Sequence, residues 1–192
     1  MITLDQHVID HLVYAVPSLP AAVTDVEERF GVRAQAGGRH IGLGTRNALL
    51  ALGDQTYLEI IAADPGQPEP AKPRPFGVDN ISHGRLAAWA LACDDIDGQR
   101  TTPIGTVLRW RLTVKQMAGG LAPFLISWGD TEHPARSAPR GLTLEAFHIE
   151  HPDPPSLAPL LTALGADVEI KPTAGAALVA RLSGPNGGTV LR

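Results

Sequence analysis

A chain of 192 residues that is 44% hydrophobic and 19% charged has the apolar content for a sizeable core and lies outside the composition of a disordered segment. The 16 Lys and Arg are scattered and outnumbered by 20 Asp and Glu, for a net charge of −4, which argues against a nucleic-acid partner. The lone Cys93 excludes an internal disulfide, no apolar run approaches the ~20 residues of a membrane span, and the N-terminus lacks a signal-peptide pattern, so a soluble cytoplasmic protein with no membrane partner is expected.

Ile9 to Val16 is a β-rich run that stops at Pro17, and Ser18 with Pro20 suits a helix entry. Leu19, Val23, Val26 and Phe30 then recur at the spacing of one helical stripe, closed by Gly31. Val32 to Ala36 reads as a short strand before a Gly-rich loop, Gly37 to Gly44. Asn47 to Leu52 and Thr56 to Ala62 read as strands joined by a turn at Gly53, Asp54 and Gln55. The order is β-α-β-β-β. A Pro-rich connector, Asp64 to Pro75, reads as a surface crossing.

Further on, Leu86 to Cys93, Val107 to Val114 and Phe124 to Trp128 are strand candidates, with a helical turn expected after Asp94 and a polar loop from Gly129 to Gly141. Leu142 to Ile149 is strand-like, Leu157, Leu160, Leu161 and Leu164 form a helical stripe ending at Gly165, and Val168 to Lys171 and Ala176 to Leu182 are strands. Gly184 to Gly188 marks a turn before a closing strand, Thr189 to Leu191. Pro17 to Gly31 spans 14 steps and Pro152 to Gly165 spans 13, so the last unit repeats the first, as a diverged internal duplication would. The expected organisation is one domain over 1–192, with modules 7–62 and 142–192 joined by a middle strand segment, 86–129.

Nucleotide-binding glycine motifs, nucleophile elbows and paired-cysteine zinc sites are absent, and Cys93 lies in an apolar run where a packed thiol is expected. What remains is histidine and carboxylate inside strands. His11 sits among apolar residues, and Glu59 is flanked by Leu58 and Ile60. A carboxylate buried in a sheet is costly without a metal, a cation or several donors. If both face one cavity, the pair can bind a divalent metal or act as base and orienter. The alternative is structural, with Glu59 paired to Arg46 and His11 hydrogen-bonded in the core. Tyr57 shares the strand face of Glu59, and Arg46 and Asn47 can bind an anionic or carbonyl-bearing ligand. Trp128 and His133 border a loop where they can cap a ligand, and His148 opens the final repeat as His11 opens the first.

At Ile9-Asp10-His11-Leu12-Val13, Asn47-Ala48-Leu49-Leu50, Tyr57-Leu58-Glu59-Ile60, Phe124 to Gly129 and His133-Pro134, within the repeated β-α-β-β-β frame, the chain resembles glyoxalase-like domain proteins of the vicinal oxygen chelate superfamily. That superfamily includes glyoxalase I, extradiol dioxygenases and bleomycin-resistance proteins. The resemblance implies an α+β fold whose modules form curled mixed or antiparallel sheets around a cavity. It also implies one divalent ion (Zn, Fe, Mn or Ni) held by a His from each module's first strand and a Glu from its last.

His11 and Glu59 match the first such pair and are the implied catalytic residues. His148 is the third metal candidate, by a two-residue slip, since aligning Pro152 with Pro17 puts Ala146 opposite His11. Arg192 stands opposite Glu59, and the middle segment offers Ala88 and Trp89 where a histidine is wanted. Two functions stay open: a metal-dependent lyase, isomerase or dioxygenase acting on a small oxygen-bearing substrate, and a metal-free protein that binds or sequesters a small molecule. In the second, Trp and other apolar groups line the cavity, Arg46, Asn47 and Glu59 are polar anchors and no cofactor is needed; in either, Arg46, Asn47, Tyr57, Trp128 and His133 are the candidate ligand contacts. The partner is a small-molecule ligand, with room for a homodimer.

Overall fold

In the computed structural model, which describes residues 8–93, 100–104, 108–112 and 118–192, strand β1 (Ile9–Ala15) ends just before Pro17 and helix α1 (Leu19–Phe30) starts after Ser18. Proline in the first helical turn gives up no intrahelical hydrogen bond there. Gly31, at φ 78°, ends the helix in the left-handed region that a side chain would resist, and its N–H returns to the Glu27 carbonyl. The expected stripe of Leu19, Val23, Val26 and Phe30 is the buried face. Each such side chain contributes about 1.5–3 kcal/mol when fully covered.

Strands β2 (Gln35–His40), β3 (Thr45–Ala51) and β4 (Tyr57–Ala63) complete the first module. β2 runs through Gly37 and Gly38, which were expected to open a loop. The ladder with β3 breaks register between Ala36 and Arg39, and the two glycines sit at that irregularity. β5 (Arg85–Ala92), β6 (Arg100–Ile104), β7 (Leu108–Leu112) and β8 (Phe124–Ser127) follow. β7 lies inside the strand expected over Val107 to Val114. The segment after Asp94, where a helical turn was expected, lies outside the described residues.

The last module is β9 (Thr143–His151), α2 (Pro154–Ala163), β10 (Glu169–Pro172), β11 (Ala177–Gly184) and β12 (Gly187–Leu191). Pro185 and Asn186 form the two-residue turn between β11 and β12, within the Gly184 to Gly188 stretch.

Two mixed sheets result, in an α+β fold of repeated β-α-β-β-β-like modules. The larger has the order β2-β3-β4-β1-β5-β8-β7-β6, and the smaller β10-β9-β11-β12. The middle segment does more than connect. β5 pairs antiparallel with β1, so β5 to β8 extend the first module's sheet beyond its edge strand β1. The element order of the first module recurs in the last, but the pairing does not. β1 lies beside the closing strand β4, whereas β9 lies between β10 and β11 and never meets β12.

Strand alternation divides the large sheet into two faces. Leu12, Tyr14, Leu50, Leu58, Ile60 and Trp89 join α1 and the inner face of the small sheet (Ile149, Leu178, Ala180, Leu182) in the main core. The opposite face carries Val13, Ala15, Ile61, Ala88, Ala90 and Phe124 under the 3-10 turn Pro75–Asn80, which contributes Val78. His11, Tyr57 and Glu59 share that face.

Candidate functional site

Asp10 and His11 are consecutive on β1, yet both serve one cluster. The ladder to β5 shifts register between Ile9 and His11, and the bulge brings the Asp10 carboxylate round to the His11 ring. Asp10, fully buried, accepts from His11 Nδ1 at 2.6 Å, from Trp128 Nε1 at 2.9 Å and from His133 Nε2 at 3.0 Å. Burial by itself would raise its pKa. The hydrogen bonds from His11 and His133, reinforced by their charge, outweigh burial and hold it at about 2.

An ionised carboxylate only accepts, so His11 carries its proton on Nδ1 and His133 on Nε2. The Ala135 N–H donates to His133 Nδ1 at 3.2 Å, consistent with that tautomer. His11 therefore turns Nε2 toward Glu59, whose Oε2 lies 3.9 Å away.

Glu59, 7% exposed, is held from the other side. Asn47 Nδ2 donates to its Oε1 at 2.7 Å, and the Asn47 Oδ1 accepts the Gly38 N–H at 2.7 Å, which fixes the carboxamide's orientation. His40, on β2, places Nε2 3.3 Å from Asn47 Nδ2 and 3.8 Å from Glu59 Oε1, while its Nδ1 meets Thr45 Oγ1 at 2.9 Å. With Asn47 donating, the His40 proton belongs on Nδ1. Glu59 is thus flanked by two imidazole Nε2 atoms, each ring anchored through Nδ1. Tyr57 stacks on His11 with centroids 4.6 Å apart, and the Phe124 ring meets His11 edge-on at 5.3 Å. Burial raises the Tyr57 phenol well above its ordinary pKa and the Asp10 and Glu59 charges push the same way, so it stays a neutral donor.

The structure thus brings together His11, Glu59, Asn47, Tyr57, Trp128 and His133. Arg46 and His148 stand elsewhere. Arg46 alternates with Asn47 and projects to the α1 side of β3, so it cannot neutralise Glu59 as the structural alternative required. His148 sits in the small sheet between Phe147 and Ile149, which face the core, so it points to the outer side. There its Nε2 is 3.9 Å from Glu150, itself paired with Arg192. The two-residue slip that made His148 a third metal candidate preserves parity, but β9 belongs to another sheet, and parity cannot supply proximity.

Asp10 and His40 escaped the sequence reading. Asp10 reaches the cluster through a bulge, which leaves no periodic signature. His40 lies where glycines suggested a loop. His11 and Glu59 are buried; a cavity of about 760 Å³ opens beside Asp10, Trp128 and His133, and one of about 450 Å³ lies on the α1 side of β2 and β3 and touches Asn47.

Structural comparison finds this fold in a Staphylococcus aureus protein of undefined function, with TM-score 0.61, 17% identity, and coverage of 96% of this chain and 84% of that one. A methylmalonyl-CoA epimerase from Mycobacterium tuberculosis matches at TM-score 0.46 and 18% identity over 69% of this chain and 94% of its own. A Bacillus halodurans protein of undefined function matches at TM-score 0.45 and 14% identity over 67% and 97%. At such identities the likeness is one of fold alone. Among curated proteins none matches the chain. Residues 9–165, however, match the family model described as the glyoxalase-like domain, and the chain therefore belongs to the glyoxalase-like domain family within the vicinal oxygen chelate superfamily.

Proposed function

We propose that the chain is a small-molecule enzyme that moves a proton at a carbon next to an oxygen-bearing group, an isomerase or lyase reaction, with Glu59 as acid and base and His11 as its oriented partner. One observation carries this reading: a buried carboxylate whose two oxygens each face an imidazole Nε2, with both rings anchored through Nδ1 and one carboxylate oxygen held by Asn47. Asn47 occupies Glu59 Oε1 and leaves Oε2 for a substrate proton. A substrate hydroxyl that donates to His11 Nε2 sets its neighbouring carbon, with the proton to be moved, beside Glu59 Oε2, 3.9 Å from that nitrogen. His11, fixed by Asp10, accepts from a substrate hydroxyl, Tyr57 donates as a neutral phenol, and Trp128 and Phe124 wall the site. The cavity beside Asp10, Trp128 and His133 is the approach for the small molecule.

The resemblance implies a divalent ion. His11, His40 and Glu59 are suitable donor types, but the imidazoles face different oxygens of the carboxylate at 3.8–3.9 Å, and among the described residues no group of three or more His, Cys, Asp or Glu forms a metal-holding cluster. As placed, the set does not fit the implied centre, and the proposed chemistry runs on the chain's own groups. A second reading, a protein that binds its ligand without turning it over, is favoured by the position of His148 outside the cluster.

Solvent-deuterium incorporation into a panel of small 2-oxo acids and hydroxyketones, followed by proton NMR, tests the proposal. Incorporation by wild type that falls by about 10²–10⁴-fold in Glu59→Gln supports it. Binding of panel members with no incorporation favours the second reading. Incorporation that survives Glu59→Gln defeats the assignment of Glu59, and elemental analysis of both proteins reads metal content independently.

A further inference from the structure

Arg46 and Arg39 are direct partners across the β2–β3 ladder, on the α1 side of the large sheet and back to back with the Glu59 cluster. Like charges placed opposite one another in a sheet are destabilising unless something answers them. Arg39 is answered: its Nε donates to Asp64 Oδ2 at 2.6 Å and its Nη2 to the Gly66 carbonyl at 2.6 Å. Asp64 is committed as well, since it also accepts from Gln67 Nε2 and from the Gly66 N–H. Arg46 is not answered. Its Nε is buried and has no hydrogen-bond partner among the described residues. A buried guanidinium N–H without an acceptor is rare in folded proteins, because water has been removed and nothing replaces it.

Both arginines line the 450 Å³ cavity, with Asp64 as the one opposing charge, so its lining carries an excess of one positive charge. Leu19 and Ala36 supply an apolar wall, and Gly37 and Gly38 leave the backbone bare on one side. The volume is that of a small-molecule pocket.

We infer that this cavity is an anion-binding site, separate from the Glu59 cluster, in which Arg46 grips the carboxylate or phosphate of a small molecule against the Leu19–Ala36 wall. A planar guanidinium pairs with two oxygens of such a group, which a lysine in its place would not do. The anion also relieves the Arg39–Arg46 juxtaposition, so occupancy stabilises the β2–β3 ladder.

The test titrates the isotope-labelled wild-type chain with inorganic phosphate and, separately, with propionate, at ionic strength held constant with chloride. The readouts are the Arg46 Nε–Hε resonance, assigned by its loss in Arg46→Met, and the Gly37 and Gly38 amides. Saturable movement of these signals with one probe supports the site and assigns it to phosphate or to carboxylate ligands. In Arg46→Met the response of the glycine amides should weaken by at least about tenfold. Signals that move only linearly with both probes, or glycine amides that respond equally in Arg46→Met, overturn the inference. Should that variant fail to fold, the wild-type titration still decides. Anion binding retained in Glu59→Gln keeps this result distinct from the fate of the proton-transfer proposal.

Discussion

At the scale of single residues, Asp10 does the most to define the candidate site, because three ring N–H groups converge on one buried carboxylate. Its pKa falls from 3.8 to about 2 on folding. A group whose folded pKa lies below its unfolded one stabilises the fold above the unfolded value, and that stability disappears as pH falls through the folded one. The contribution is therefore complete above pH 3.8 and lost by about 2, and its size is about 2 kcal/mol. Asp10→Asn should unfold at lower urea at neutral pH, with the difference from wild type shrinking as pH drops from 4 toward 2. Parallel pH profiles for the two proteins would contradict this.

Glu59→Gln should differ in stability by less, about 1 kcal/mol, because the amide oxygen still accepts from Asn47. A larger loss in urea would move Glu59 from chemistry to architecture. His11 and Glu59 were legible as a pair because strand parity and burial of polar groups are one-dimensional signals. The hydrogen bonds that orient them were not, since Trp128 and His133 reach Asp10 across more than a hundred residues of chain.

At the scale of elements, the strands and helices followed hydrophobic period and the Pro and Gly punctuation closely, and the departures have local causes. β2 continues through Gly37 because the Asn47 carboxamide occupies the space a side chain would need. A Cβ built at Gly37 falls 2.1 Å from Asn47 Oδ1. Glycine there lets the strand stay paired while Asn47 reaches Glu59, a requirement of space that propensity rules, which favour a loop, cannot register. Gly37→Ala must push Asn47 aside. The expected cost is about 1–3 kcal/mol of stability in thermal or urea unfolding, together with a change in the Asn47 side-chain amide resonances. A variant with wild-type stability and an unmoved Asn47 would show that the strand shifts instead. The bulge at Asp10 is the second such departure, where one additional residue in β1 re-aims a carboxylate.

At the scale of the whole molecule, the sequence repeat indicated the modules but not how they assemble. Pro17 to Gly31 and Pro152 to Gly165 preserve the strand-helix-strand frame, but strand neighbours depend on contacts far apart in sequence, and β12 pairs with β11 instead of closing on β9. β12 (GGTVL) also carries no carboxylate, so His148 has no partner equivalent to Glu59. Beyond their shared core, the small sheet meets the first module and the middle segment through Trp89, which packs on Phe147 with centroids 5.0 Å apart, through the Leu86 N–H, which donates to the Arg192 carbonyl at 2.7 Å, and through the β11–β12 turn, which sits against the end of α1.

At that last contact Asn186 donates to the Glu28 and Phe30 carbonyls, capping the helix from another module. Gly184 makes the approach feasible, since a Cβ there would lie 2.5 Å from the Phe30 carbonyl oxygen, a backbone atom that no rotamer change can move. Gly184→Ala should therefore lift the turn from α1, breaking the Asn186 bonds and costing about 2–3 kcal/mol. Because Leu178, Ala180 and Leu182 share one core with Leu58 and Trp89, unfolding should remain a single transition at lower urea. Two separated transitions in the variant would mean that the sheets fold independently, and unchanged stability would mean that the turn yields without disturbing the helix end.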